Sequence, residues 1–179
     1  MGDFKNALEN LQKALDMKLS APTENGASIA ATYVSIGSVY SDQKQFSAAL
    51  DMYKKSLHID SKILLPNDPS LAITMSNIGS ACYGLQFYDE AIDWYQKALE
   101  IRKHALTSTH PFIADIYECL TLPHYQKGHF HEALDYWRKA KDIHLKNLPP
   151  DYRRIKRCEE WIEQLENQIS TQQQNITDI

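Results

Sequence analysis

Apolar residues return along this chain at steps of three and four, and the whole pattern returns every 42 residues. In residues 46–63, Phe46, Ala49, Leu50, Tyr53, Leu57 and Ile59 form one stripe, the spacing of a helix with a single buried face. Residues 30–43 carry a second stripe through Ala30, Tyr33, Ile36, Gly37 and Tyr40, and the polar run Asp42-Gln43-Lys44-Gln45 separates the two. The unit is therefore a helix hairpin: helix A, a tight turn, helix B, then a longer loop. Phe4, Phe46, Tyr88 and Phe130 share one register, Ala7, Ala49, Ala91 and Ala133 another, and Leu11, Tyr53, Tyr95 and Trp137 a third. A period of about 20–50 residues marks a solenoid, whose stacked units offer a long concave face.

The register predicts a lone helix B at 3–19, A/B pairs at 28–43 and 46–63, 70–85 and 88–105, and 112–126 and 130–146, and a last helix at 152–169. As domains this is an array over 1–169, with a partial repeat at 1–29 holding helix B only. Full repeats follow at 30–71, 72–113 and 114–155, then a capping helix at 156–169. In that helix Glu159, Glu163 and Glu166 stand where Tyr33, Gly37 and Tyr40 stand in the second repeat, giving the polar outer face a cap requires. Residues 170–179 carry no stripe and are expected to be a flexible tail.

Asn67-Asp68-Pro69 and Thr109-His110-Pro111 sit in one register. Proline is tolerated in a first helical turn, so A helices should start near 69–70 and 111–112. Gly37 and Gly79 fall mid-helix, where glycine costs about 1 kcal/mol relative to alanine. The expected return is close approach of helix B at Ala49 and Ala91, with Tyr53, Tyr95 and Trp137 filling the groove beyond. The fourth repeat departs from the pattern, with Thr121 at the glycine position and Pro123 mid-helix.

Composition narrows the function class. Apolar content is 43%, charged content 23% and net charge −4, which leaves no electrostatic footprint for nucleic acid. No apolar run approaches the ~18 residues of a membrane span. The N-terminus MGDFKN is neither basic nor apolar, and Asn6 stands where a myristoylation motif has Ser or Thr. Cys82, Cys119 and Cys158 have no metal-type spacing, and an odd count without a signal peptide predicts a reducing, cytoplasmic setting. The seven histidines are scattered, and no phosphate-cradling loop or nucleophile setting is recognisable. We expect a non-catalytic chain with no metal and no cofactor. Arg153, Arg154, Lys156 and Arg157 read first as the solvated start of the capping helix, with an anion or membrane patch as the alternative.

The small residue of helix A (Gly37, Gly79), the aromatic three later (Tyr40), the alanine of helix B (Ala49, Ala91, Ala133), the following aromatic (Tyr53, Tyr95, Trp137) and the next small residue (Ser56, Ala98, Ala140) resemble the tetratricopeptide repeat pattern. The period of 42 rather than 34 is similar to that of the kinesin light chain subclass. Residues 91–117, AIDWYQKALEIRKHALTSTHPFIADIY, resemble its helix B, long loop, His-Pro and next helix A. The resemblance covers residues 1–157. It lacks that family's N-terminal coiled coil, and a helix A before residue 3, so the chain reads as a fragment or a shortened relative.

The resemblance implies an all-α, right-handed superhelical solenoid of antiparallel helix hairpins. It also implies a protein–protein interaction module that binds peptide segments of a partner in a concave groove lined by A helices, as in a cargo or assembly adaptor. By register the groove residues are Ser35, Ser38, Asp42, Asn77, Ser80, Tyr83, Glu118, Leu122 and Tyr125. Asn77 is singled out because a groove asparagine can bond both N–H and C=O of a peptide backbone. These inner positions lack Lys and Arg, while Asp42, Asp115 and Glu118 favour a neutral or basic partner. Two other readings stay open: a targeting or regulatory part of a larger enzyme, and self-association through the apolar face Phe4, Leu8, Leu11 and Leu15 of the unpaired first helix.

Overall fold

A computed structural model of the chain describes residues 2–21, 25–147 and 152–177. Among them lie eight helices and no strand. They are α1 (Gly2–Ser20), α2 (Gly26–Asp42), α3 (Phe46–Ile63), α4 (Pro69–Gly84), α5 (Tyr88–Ala105), α6 (Pro111–Gln126), α7 (Phe130–Lys146) and α8 (Tyr152–Thr177). The chain forms two compact units, residues 1–101 and residues 102–179.

In the first unit the core runs through Leu15, Ala30, Ile36, Ala49, Tyr53, Leu71, Ile78, Ala91 and Tyr95. The mid-helix glycines make close approaches, and the atoms nearest to them belong to the helix-B tyrosines. A Cβ on Gly37 would lie 2.6 Å from Tyr53 Cε1, and one on Gly79 2.8 Å from Tyr95 Cε1. The glycine makes room for an aromatic face, and Ala49 and Ala91 of the B helices are themselves fully buried. Each tyrosine hydroxyl then meets the serine next to its glycine: Tyr53 Oη donates to Ser38 Oγ at 3.4 Å, and Tyr95 Oη and Ser80 Oγ are 3.0 Å apart. Gly84 is used the same way, since a Cβ there would lie 2.5 Å from the Phe46 ring. Leu15, expected on an exposed apolar face of α1, is instead buried, while Phe4 stays exposed.

Local signals set the helix starts. Asn25 Oδ1 accepts from Ala27 N at 3.0 Å, and Asp68 Oδ1 accepts from Ser70 N at 2.8 Å with Pro69 opening α4. At α6, Pro111 opens the helix and His110 Nδ1 accepts from Phe112 N at 3.2 Å. These bonds satisfy N–H groups that a helix start leaves open. The A-to-B turns reverse through a left-handed residue at one register: Lys44 (φ 59), Gln86 (φ 65) and Gly128 (φ 75).

In the second unit Ile113, Ile116, Leu120, Ala133, Leu134, Trp137, Ile155, Cys158 and Leu165 form the core. Pro123 lies buried inside α6 without ending it. The last helix extends beyond the expected 169 through Thr177. Ile169 continues the buried stripe of Ile155, Cys158 and Leu165. The hydroxyls of Ser170 and Thr171 return to the carbonyls of Glu166 and Asn167 at 2.9 Å, and no glycine or proline interrupts the run. The capping glutamates are exposed as expected, yet Glu159 and Glu166 also pair with Lys141 and Arg138 of α7 at 2.8 Å.

Candidate peptide-binding face

Six of the nine residues expected in the groove lie in the first unit, Ser35, Ser38 and Asp42 on α2 and Asn77, Ser80 and Tyr83 on α4. Their side chains are not equally available. Ser35, Ser38 and Ser80 donate to the carbonyls of Ala31, Val34 and Ser76 at 3.0, 3.0 and 3.1 Å, the ordinary back-bond of a helical serine. The Tyr83 ring rests 5.8 Å from Tyr88. Asp42 is exposed at the end of α2. Asn77 is half-buried, and its amide makes no side-chain hydrogen bond among the described residues.

Beside these residues α2, α3 and α4 enclose a cleft of about 300 Å3, lined by Ala31, Val34, Asp60, Leu64, Ile73 and Thr74 among others. Asp60 is only 9% exposed. Its Oδ2 accepts from Ser56 Oγ at 3.3 Å, and no cation among the described residues pairs with it. Burial pushes its carboxyl above the usual aspartate value, and the nearby charge of Asp68 adds to the rise.

The remaining three expected groove residues lie on α6 in the second unit, where α8 covers two of them with polar contacts. Glu118 pairs with Arg157, and its Oε1 lies 2.8 Å from His144 Nε2. Arg154 pairs with Asp115. Tyr125 packs edge-on to Trp161 at 5.6 Å and accepts from Gln164 Nε2 at 3.3 Å. Leu122 lines a cavity of about 410 Å3 with Cys119, Trp137, Trp161 and these ion pairs, and the two indoles stack at 5.9 Å.

Two expectations about charge are corrected here. The basic run at 153–157 is solvated only in part: Arg153 and Lys156 are exposed, whereas Arg154 and Arg157 reach the acids of α6. The face of α6 is accordingly supplied with arginine from α8, because the i, i+3 spacing of Arg154 and Arg157 puts both on one side of that helix. Glu118, His144 and Cys158 bring one potential metal-binding atom each within 4.8 Å. Glu118 is already engaged, its oxygens holding Arg157 and His144, and burial with the Glu118 charge pushes the Cys158 thiol up to about 11.

Reasoning from the sequence missed Asp60, Arg154, Arg157 and His144. A signal for two of them was present in the 42-residue register, where Lys18, Asp60, Arg102 and His144 share one position. Each is a polar group turned inward near the end of a helix B. Lys18 Nζ donates to Thr32 Oγ1 at 2.9 Å, Arg102 lies 4.6 Å over the Phe112 ring, and His144 meets Glu118.

The family model described as tetratricopeptide repeat matches residues 1–62 and 70–146. The chain belongs to the tetratricopeptide repeat family. Such repeats are generally protein–protein interaction modules. Among solved structures, the kinesin light chain-like protein of Podosopora anserina, with nearly identical TPR-like repeats, aligns with a TM-score of 0.79 at 18% identity, covering 97% of this chain and 82% of that one. BtubC (BKLC) from P. vanneervenii aligns at 0.77 and 16% identity, covering 94% and 75%. The apo form of RapI aligns at 0.71 and 22% identity, covering 80% of this chain and 50% of that one. These likenesses establish an all-α tetratricopeptide repeat fold. No curated protein sequence matches the chain.

Proposed function

We propose that this tetratricopeptide repeat chain is a non-catalytic adaptor that binds an extended peptide segment of a partner protein along α2 and α4 of its first unit. The observation that carries the reading is Asn77, half-buried on α4 with an unengaged amide. An amide so placed offers one donor pair and one acceptor to a peptide backbone. Ser35, Ser38 and Ser80 supply a polar surround of small side chains, and Tyr83 a flat one. The likeness to kinesin light chain repeats supports a cargo- or assembly-adaptor role. On the second unit the corresponding face is occupied by Arg154, Arg157 and Trp161 of α8, which directs the peptide to the first unit.

The test is a peptide selected on the purified protein from a phage-displayed library of random 12-residue sequences, then titrated against wild type and Asn77→Ala. Loss of a buried hydrogen bond costs about 1–3 kcal/mol, so affinity should fall roughly 5- to 150-fold while the melting temperature holds. Equal affinity would remove Asn77 from the site. A steep loss of wild-type affinity with salt would move the contact to a charged surface, with the exposed Arg153 and Lys156 the first place to look.

A further inference from the structure

The cleft beside Asn77 has a chemistry of its own. Its walls, Ala31, Val34, Leu64 and Ile73, are aliphatic, and its one charged lining group is the carboxylate of Asp60. A carboxylate so deeply placed is costly unless a cation and hydrogen bonds compensate it. Here a single bond at 3.3 Å from Ser56 does so, no cation among the described residues joins it, and Asp68 adds a second negative charge nearby. One repeat earlier the same register position holds Lys18, whose ammonium is satisfied by Ser28 O and Thr32 Oγ1 of α2. At Asp60 the sign is reversed, and no cation among the described residues supplies the complementary charge.

We propose that this cleft seats the side chain of a lysine or arginine of the bound peptide, its methylenes against Val34 and Ile73 and its charged head on Asp60. The inference rests on the peptide-binding reading above and adds the partner's chemistry to it. Lysine and arginine carry an apolar stem and a charged end, which matches aliphatic walls over an acidic floor. Arginine is the better fit, since guanidinium is the more weakly hydrated head. The volume of about 300 Å3 is at the lower bound of small-ligand pockets, about 300–1,000 Å3. Position also agrees. Ile73 lies one helical turn before Asn77 on α4, about 5–6 Å away. In an extended peptide, side chains on one face repeat every second residue, about 6.5–7 Å. A backbone held at Asn77 thus presents a side chain to the cleft about two residues away.

The probe is n-butylguanidinium, with n-butanol as its neutral counterpart, titrated into the methyl-labelled full chain. Saturable shifts are expected at the methyls of Ala31, Val34 and Ile73 with butylguanidinium, at least about fivefold weaker for butanol. Asp60→Asn, which keeps the shape and the Ser56 bond, should weaken butylguanidinium at least about fivefold and leave the butanol response unchanged. Equal binding of the two probes, equal binding by the two proteins, or no response at these methyls would overturn the proposal. Should the variant lose its fold, the wild type decides through the Asp60 carboxyl carbon: butylguanidinium must lower its midpoint pH, and an unmoved midpoint refutes a cation site. The peptide library separates this inference from its parent. Peptides that depend on Asn77 but show no enrichment of lysine or arginine would overturn the cleft's role alone. Failure to select any Asn77-dependent peptide would overturn the parent reading, while the butylguanidinium titration would still decide whether the cleft takes a cation.

Discussion

Gly79 and Tyr95 fit as socket and ring: a Cβ on Gly79 would stand 2.8 Å from Tyr95 Cε1 and 2.9 Å from Cδ1. The ring has no easy escape, because it is buried and its hydroxyl lies 3.0 Å from Ser80 Oγ. Alanine at 79 would gain about 1 kcal/mol of helix propensity and lose about 1–3 kcal/mol to overpacking. Overpacking wins, so Gly79→Ala should lower the melting temperature, and adding Tyr95→Leu should recover part of the loss from Gly79→Ala. A melting temperature raised by Gly79→Ala alone would contradict this packing.

Asp60 makes stability depend on pH in an unusual direction for a carboxyl. Its folded value is raised by burial above the 3.8 of an ordinary aspartate, so the native state binds that proton more tightly than the unfolded chain. Its favourable contribution is present below about 3.8 and is lost as pH rises through the folded value. Asp60→Asn should therefore match or exceed wild type in melting temperature at pH 7, and this advantage should vanish toward acid. A clear destabilisation by Asp60→Asn at pH 7 would show that the carboxylate is compensated by a partner.

The helix pattern was largely legible in the sequence, and the charged contacts were not. Stripes at steps of three and four locate α3, α5 and α7 with the bounds observed, since apolar burial sets both pattern and packing. Asn77 was legible for the same reason: register alone places it on α4. The glycine–tyrosine contact was half legible: the small residue was plain, whereas the tyrosine was expected to fill the groove beyond rather than to lie nearest the glycine. Asp60, Arg154 and Arg157 were obscured because charged residues near helix ends usually face water. Only the third dimension shows that Asp60 turns into a cleft and that Arg154 and Arg157 meet Asp115 and Glu118. The extension of α8 was missed because glutamines and a serine–threonine pair carry no stripe, although nothing in them breaks a helix.

Glu118 ties α8 to α6 through Arg157 and lies against His144 of α7. Arg157 is about half exposed, so solvent screening limits this contact to about 1 kcal/mol or less. Glu118→Gln should lower the stability of the second unit modestly, and added salt should narrow the gap from wild type. Tryptophan fluorescence follows this, since Trp161 of α8 stacks on Trp137 of α7. A gap that widens with salt would contradict an electrostatic contact.

The cysteines should separate by reactivity. Cys158 and Cys82 are buried with thiols pushed up, Cys158 to about 11, whereas Cys119 is only half-buried. A thiolate-directed reagent at pH 8 should label Cys119 first, with Cys82 and Cys158 protected until unfolding. Rapid labelling of Cys158 in the native protein would contradict the burial of α8 on its neighbours.

The central claim is that a peptide binds along α2 and α4, and amide chemical-shift mapping tests it most directly. A selected peptide titrated into the labelled chain should move Val34, Ile73, Asn77 and Ser80 in a saturable way. The α8 residues Arg154 and Trp161 should stay in place. Saturable shifts confined to α8, or none at Asn77, would contradict the account.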